Sequence, residues 1–247
     1  MARKTIQLVT DNIYHVVSRG NSQQEIFFQP VDYFRLIRDF YEFNNVEVID
    51  SRYRQMLTKS QLSGSDPDSW SGGLGSRKEG KRKRKLLVEI LVFCLMPNHF
   101  HLLLRQLRDG GISEFMKRVK GGYAAYINKK YERSGSLFQS HFKAVKIEND
   151  RQLNTIFSYI HTNPCQLVEP GWKTTGLTSE KKALEVLNIY RWSSYPDYIG
   201  RKNFPSLTNR EMFTEIYKST KGCERAVKDW IKHKADSYED VKDFILE

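Results

Sequence analysis

The 247-residue sequence predicts an α+β fold, a ferredoxin-like or RRM-like antiparallel sheet with helices packed on one face. Short β-branched segments with alternating polarity are separated by longer amphipathic segments, which is the order expected of mixed strands and helices. The hydrophobic fraction is 39% and the aromatic fraction is 13%, so the chain can bury a substantial core.

The first part of the chain predicts two strands separated by a helix. IYHVVSRG (13 to 20) alternates and is rich in β-branched residues, as a strand requires. The segment from 30 to 45 places aromatic and aliphatic residues at helical spacing, and VEVIDSRY (46 to 53) again has the pattern of a strand.

The central part predicts a buried strand and a basic helix. KLLVEILVFCLM (85 to 96) is too continuously apolar to be an edge strand. Pro97 and Asn98 interrupt it, and we expect HFHLLLR to continue the same strand. The segment from 111 to 133 has one apolar face and several lysines available to the other, which predicts an amphipathic helix.

A further strand and helix complete the core. LFQSHFKAVKI (137 to 147) alternates like a strand. Asn149, flanked by Glu148 and Asp150, begins a helix that Pro164 terminates. The predicted order is therefore strand, helix, strand, insertion, strand, helix, strand, helix.

These elements divide the chain into a domain over residues 1–200 and a helical C-terminal appendage over 205–247, with three short helices. A flexible basic insertion is expected at about residues 58 to 84, where Ser, Gly, Lys and Arg are frequent and no apolar period persists. Its KRKRK run is either a solvated loop or an auxiliary phosphate-binding arm.

The net charge of +11 favours a polyanionic partner, nucleic acid before membrane. Residues 51 to 85 hold ten Lys or Arg against three Asp or Glu, so most of the excess lies in one segment. No apolar run is long enough to span a membrane and no signal peptide is visible, which predicts a cytoplasmic protein. The three cysteines form no CxxC pair and are expected to be reduced.

Two histidines, His99 and His101, stand two positions apart at the end of the apolar run. Residues i and i+2 of a strand share a face, so the imidazoles form a candidate metal-binding pair, although two histidines at a sheet surface by chance give the same pattern. Tyr159 and Asn163 share a face of one helix, whereas His161 lies about 200° from Tyr159 and is excluded as a companion ligand.

The segment MPNHFHLLL (96 to 104) resembles the HUH motif, histidine-hydrophobic-histidine, of the single-tyrosine nucleases. Its surroundings resemble the REP-associated tyrosine transposases, relatives of the smallest insertion-sequence transposases. Four other segments follow the family's order across residues 6 to 200: IYHVVSRGN, YERSGSLFQSHFK, YIHTNP and RWSSY. The basic insertion and His141, where the family often has a basic residue, depart from the pattern.

The resemblance implies the HUH nuclease fold and a metal-dependent transposase that acts on single-stranded DNA with a hairpin. It implies that His99, His101 and Asn163 bind Mg²⁺ or Mn²⁺ and that Tyr159 is the nucleophile, forming a 5′-phosphotyrosine link. The relatives act as monomers or as homodimers with exchanged helices, and both arrangements stay open for this chain.

Basic residues near these motifs are candidate DNA contacts: Arg19, Lys117, Lys120, Arg133 and Lys146. Tyr123 and Tyr126 are alternative nucleophiles, but their helical spacing with apolar residues favours a place in the core. Two other functions fit the same motifs. One is a domesticated DNA-binding protein without cleavage activity, and the other is a zinc hydrolase, which would need further His or Asp ligands near the pair.

Overall fold

The computed structural model describes residues 7–47, 84–172, 176–237 and 245–246. The first elements are β1 (Ile13–Arg19), α1 (Pro30–Phe43), β2 (Val88–Met96), β3 (His99–Gln106), α2 (Gly111–Lys130) and β4 (Lys143–Lys146). They are followed by α3 (Asp150–Thr162), α4 (Glu180–Ile189), α5 (Tyr195–Tyr198), α6 (Glu211–Tyr217) and α7 (Thr220–Ser237). No helix in this part of the chain is long and apolar enough to cross a bilayer.

The four strands form one antiparallel sheet in the order β2-β3-β1-β4. Together with α1 after β1 and α2 after β3, this is the βαββαβ arrangement of the ferredoxin-like fold. The predicted α+β class is therefore confirmed. Because β3 lies inside the sheet, its side chains are held in register from both sides.

The apolar run and the histidine segment are two strands rather than one interrupted strand. Met96 pairs with His99, so the chain reverses over Pro97 and Asn98 and forms a tight hairpin. Proline lacks the N–H that a strand needs and asparagine suits a turn, which explains why the reversal occurs here. The prediction that HFHLLLR continues the preceding strand was wrong.

Helices cover both faces of the sheet, and not one face as predicted. α1 and α2 pack on the face that contains Tyr14, Phe93 and Phe100. α3 contacts β2 and β3 on the opposite face, which carries His101 and Leu103 and is called the histidine face below. The cause lies in β2, whose side chains are apolar on both faces, so each face requires its own cover.

Most other element predictions agree with the structure. The helices expected at 30 to 45 and 111 to 133 are α1 and α2. α6 lies within the first predicted C-terminal helix, whereas α7 extends beyond both ends of the second. The strand expected over 137 to 147 is shorter, since only β4 is regular and Phe138 adds a single bridge to Gly20.

Three predictions fall wholly or mostly outside the described residues. The strand at 46 to 53 extends into residues 48–83, and the insertion at 58 to 84 lies there except for Arg84. The last predicted C-terminal helix covers 238 to 247, of which only residues 245 and 246 are described.

The RWSSY segment protects the free edge of β2. Leu95 donates its N–H to the carbonyl of Trp192 at 2.8 Å, and Ser194 donates its own to Phe93 at 3.0 Å. An edge strand with unpaired backbone groups would otherwise invite pairing with another chain. This motif therefore has a structural role in the described part of the chain.

A buried carboxylate joins α1 to α2. Asp32 accepts hydrogen bonds from Lys130 Nζ at 2.6 Å and Tyr131 Oη at 2.7 Å, and it caps α1 through the N–H of Gln29. Burial alone would raise the pKa of Asp32, but the hydrogen bonds from Lys130 and Tyr131 outweigh it and hold the pKa below its ordinary 3.8.

Replacing this carboxylate by an amide is expected to destabilise the fold. Asp32→Asn leaves Lys130 without its counter-charge, and we expect a loss of about 3 kcal/mol in the free energy of unfolding at pH 7, measured by urea denaturation. The ionised Asp32 stabilises the protein above pH 4, and this contribution disappears as the pH falls through the lowered pKa. The difference in the free energy of unfolding between the variant and the unaltered protein should therefore become smaller below about pH 4. Asp109→Asn, at an exposed position, serves as the control, and an equal loss there would contradict the assignment.

Candidate active site

The two histidines of β3 lie side by side on the histidine face. The ring centroids of His99 and His101 are 4.9 Å apart, with the ring planes nearly perpendicular. His101 is buried, while His99 is half-buried. The pair therefore has one enclosed ring and one that borders solvent.

Tyr159 lies against this pair. α3 buries a stripe of Leu153, Ile156 and Ile160 on the histidine face, and this packing presses the phenol ring of Tyr159 between the helix and the sheet. Its ring centroid is 5.6 Å from that of His101, edge to face. The phenol is fully buried. Folding thus brings together a tyrosine and a histidine separated by more than fifty residues.

Asn163 follows one turn after Tyr159, at the C-terminal end of α3. Its side-chain nitrogen donates to the carbonyl of Tyr159 at 3.0 Å, so the amide is held against the last turn of the helix. The side chain is fully buried, and an amide oxygen such as Oδ1 is of the chemical type that Mg²⁺ or Mn²⁺ prefers.

His161 lies elsewhere, as its helical position predicts. Its Nε2 lies 2.8 Å from Ser194 Oγ, in the segment that covers the edge of β2. Complete burial lowers the pKa of His161 to about 3, so the ring is neutral at physiological pH. This histidine fastens α3 to the edge segment.

The alternative nucleophiles lie on the other side of the sheet. Tyr123 Oη donates to the carbonyl of Ile26 at 2.7 Å, and Tyr126 Oη donates to Asp32 at 3.0 Å. Burial raises the pKa of both phenols, that of Tyr126 to about 12. Both belong to the contact between α1 and α2, which agrees with the predicted place in the core.

Two of the five basic candidates lie at the end of the sheet where His99 is found. Arg19 pairs directly with His99 in the strand register and so shares its face. Arg133 donates to Gln24 at 2.5 Å and lies over the ring of Phe28. The loop that contains Gln24 also contacts the hairpin turn, since Ile26 donates its N–H to the carbonyl of Pro97.

The other three basic candidates are not placed beside the histidines. Lys117 is exposed on α2, and Lys120 donates to the carbonyl of Gln139 at 3.0 Å. Lys146 pairs with Tyr14 and therefore faces the side that α1 and α2 cover. By the same register Lys143 pairs with Val17, which also pairs with His101, so Lys143 lies on the histidine face.

Sequence reasoning missed Lys143 and two neighbours of the histidine pair, His15 and Asn98. Nε2 of His15 is 2.9 Å from Nδ1 of His101, and Oδ1 of Asn98 is 2.6 Å from Nδ1 of His99. The signal for His15 is its even spacing from Val17 and Arg19 in an alternating strand. That spacing gives the face, but only the pairing of β1 with β3 gives the contact.

The donor atoms fit a weakly held divalent ion. Contacts at Nδ1 of both rings leave Nε2 as the nitrogen with which each could bind a metal. Among the described residues, no group of three or more His, Cys, Asp or Glu side chains is arranged to hold a metal. Two imidazoles and an amide oxygen would suit Mg²⁺ or Mn²⁺ only together with water and phosphate oxygens as further ligands.

The structure brings together a histidine pair on an inner strand of a ferredoxin-like sheet and a tyrosine on the helix that packs above it. Residues 80–163 match the family model described as transposase, IS200-like. The match confirms the resemblance to insertion-sequence transposases over this segment, which contains the histidine pair, Tyr159 and Asn163.

Among solved structures, the chain is similar to a REP-associated tyrosine transposase bound to a REP hairpin. The two are 12% identical, the similarity covers 83% of this chain and 89% of that chain, and the TM-score is 0.49. No curated protein sequence matches the chain.

Proposed function

We propose that this protein cleaves and rejoins single-stranded DNA as a REP-associated tyrosine transposase, with Tyr159 as the nucleophile. The observation that carries the proposal is the contact between the rings of Tyr159 and His101, within the segment that matches the IS200-like transposase model.

The reaction keeps the energy of the phosphodiester bond in a covalent link between the nucleophile and the DNA. Tyr159 Oη attacks the phosphorus and loses its proton, and the 3′ oxygen leaves and takes up a proton. The products are a 5′-phosphotyrosine link and a free 3′-OH. Attack by a second 3′-OH on the same phosphorus reverses the step and joins a new strand, so no nucleotide cofactor is required.

His99, His101 and Asn163 would hold Mg²⁺ or Mn²⁺ through the two Nε2 atoms and Oδ1. When bound, the ion polarises the scissile phosphate and stabilises charge on the leaving 3′ oxygen. The protein orients the reacting groups. The hairpin aims the imidazoles, and α3 carries the phenol and the amide one turn apart on the same face.

The substrate has to reach a phenol that is fully buried. His99 borders solvent and has Arg19 as its strand neighbour, so the phosphate approaches from this side. Tyr159 becomes accessible only when α3 shifts from the histidine face, and a substrate-dependent displacement of this helix is part of the proposal.

A single chain supplies both parts of the site. Tyr159 contacts His101 of the same chain, which supports a monomer that acts with its own tyrosine rather than one exchanged with a partner.

Two lysines of β4 provide a matched test of how DNA contacts the site. Lys143 lies on the histidine face and Lys146 on the other, although both are exposed and only three residues apart. We expect Lys143→Gln to weaken binding of single-stranded DNA about three- to tenfold and to reduce its salt dependence, since one phosphate contact is lost. Lys146→Gln should change binding less than twofold. Equal effects in titrations by fluorescence anisotropy would contradict this placement.

The proposal is tested on a denaturing gel with purified protein, Mn²⁺ and labelled single-stranded hairpin oligonucleotides. A labelled band that survives denaturation and disappears after proteolysis is the expected result. DNA binding without such a band across a broad pool of hairpins would instead favour a domesticated DNA-binding protein. Stoichiometric zinc in the purified protein would favour a zinc hydrolase.

A further inference from the structure

Each imidazole of the histidine pair has a neighbour at its Nδ1 atom. Nδ1 of His99 is 2.6 Å from Oδ1 of Asn98, and Nδ1 of His101 is 2.9 Å from Nε2 of His15. The two neighbours come from different elements, Asn98 from the hairpin turn and His15 from β1. Both rings are therefore contacted at the same atom by unrelated parts of the fold.

The contact from Asn98 fixes the proton of His99. A carboxamide oxygen only accepts hydrogen bonds, so Nδ1 of His99 must carry the proton and Nε2 keeps its lone pair. The amide is itself oriented, because Nδ2 of Asn98 donates to the carbonyl of Gln23 at 3.2 Å. The turn is held as well, since Gly20 donates its N–H to the carbonyl of Asn98 at 2.8 Å.

Gly20 has to be glycine for this turn to close. A Cβ at this position would lie 2.1 Å from the carbonyl oxygen of Gln24, which is backbone and cannot give way easily. The close approach brings the loop after β1 against the hairpin turn. The position of Asn98, and with it that of the His99 ring, depends on this backbone contact.

The contact from His15 acts on the enclosed ring. His15 is fully buried, and its ring is stacked on that of His101 with centroids 5.2 Å apart and planes 14° from parallel. The donor of the hydrogen bond between Nε2 of His15 and Nδ1 of His101 depends on the tautomers, and when His15 accepts, His101 donates from Nδ1. The opposite assignment would place the proton of His101 on Nε2 and block that atom for a metal.

We propose that His15 and Asn98 are positioning residues, which hold His101 and His99 as Nδ1–H tautomers with both Nε2 atoms ready for a divalent ion. The inference rests on the proposed function, because it concerns the same metal site. Groups that orient metal-binding histidines typically change metal affinity about 10- to 100-fold when they are removed. Neither residue is among the proposed metal ligands or the proposed nucleophile.

The first test is the affinity for Mn²⁺ alone, measured by titration calorimetry and electron paramagnetic resonance on the full chain. His15→Leu and Asn98→Ala remove the acceptors, and each is expected to weaken Mn²⁺ binding about 10- to 100-fold. His15→Gln and Asn98→Asp retain an acceptor and should bind within about threefold of the unaltered protein. Tyr123→Phe removes a buried hydrogen bond on the opposite face, so it controls for a general loss of stability.

The second test observes the tautomers directly. In long-range ¹H–¹⁵N correlation spectra of the metal-free protein, His99 is expected as the Nδ1–H tautomer and should become a tautomer mixture in Asn98→Ala. A proton on Nε2 of His99 would overturn the inference, whether it is found in the metal-free protein or in the protein loaded with Zn²⁺ or Mg²⁺. Unchanged Mn²⁺ affinity in His15→Leu and Asn98→Ala would overturn it as well.

The outcome separates the inference from the function on which it rests. If the unaltered protein binds Mn²⁺ and forms the covalent DNA adduct while the acceptor-free variants bind equally well, only the positioning role is wrong. If the unaltered protein neither binds Mn²⁺ nor forms the adduct, the proposed function itself is contradicted.

Discussion

Tyr159→Phe is expected to abolish the covalent protein–DNA adduct and to reduce cleavage of single-stranded hairpin DNA by about a thousandfold or more. The substitution removes one oxygen from a fully buried ring and leaves the contacts of that ring with His101 and His15 in place. The fold and the affinity for uncleaved DNA should therefore persist. Band intensity on a denaturing gel measures the adduct, and anisotropy measures the binding.

Tyr123→Phe is the matched control for this loss. It also removes a buried phenolic oxygen, but on the face of the sheet away from the histidines, where the hydroxyl contacts Ile26. We expect it to lose about 1 to 2 kcal/mol of stability and to keep the adduct. An adduct that persists in Tyr159→Phe and disappears in Tyr123→Phe would transfer the nucleophile to α2.

His101→Ala is expected to reduce cleavage about a hundredfold or more and to weaken Mn²⁺ binding by at least about tenfold, since it removes one of the two proposed imidazole ligands. His101 is the enclosed ring of the pair, and it links Tyr159 on α3 to His15 on β1. Its loss therefore affects both the ion and the packing of the phenol. Cleavage rates at several Mn²⁺ concentrations distinguish the two effects, because excess metal recovers only the first.

A second histidine provides the control for this variant. His161→Gln replaces a fully buried ring whose partner is Ser194, and glutamine can keep that hydrogen bond. Its cleavage rate and Mn²⁺ affinity should change less than about threefold. Mixing His101→Ala with Tyr159→Phe should not restore activity if each chain uses its own tyrosine, and recovery in the mixture would contradict the monomeric arrangement.

Local patterns were sufficient to predict the elements that carry the site. A few neighbouring residues determine each of three features: the alternation of β1, the apolar face of α2, and the start and end of α3. The i, i+2 rule placed His99 and His101 on one face, and the i, i+4 rule placed Asn163 one turn after Tyr159. The structure has both relations.

Features that depend on pairing between distant segments could not be predicted in this way. The reversal at Pro97 and Asn98 depends on β2 pairing with β3, and a local pattern does not distinguish it from an interrupted strand. Lys146 and Lys143 exchange faces with a one-residue change of register in β4, and the sequence gives no register for so short a strand. The contact of His15 with His101 likewise exists only because β1 lies beside β3.

The second cover of the sheet has the same kind of cause. The apolar run of β2 predicted that this strand is buried, but it did not indicate which helix covers each face of the sheet. α3 packs on β2 and β3 over the histidine face and buries Tyr159, and α7 packs in turn on α3. The burial of Tyr159 is therefore a property of the tertiary structure, and it is the observation behind the proposed displacement of α3.

The most direct test of the proposed chemistry is to identify the amino acid that becomes linked to DNA. The unaltered protein is incubated with Mn²⁺ and a hairpin oligonucleotide, digested with trypsin and nuclease, and analysed by tandem mass spectrometry. The account predicts a nucleotide attached through a 5′ phosphate to Tyr159, in the peptide that contains FSYIHTNP. A nucleotide on any other residue, or a link through a 3′ phosphate, would contradict it.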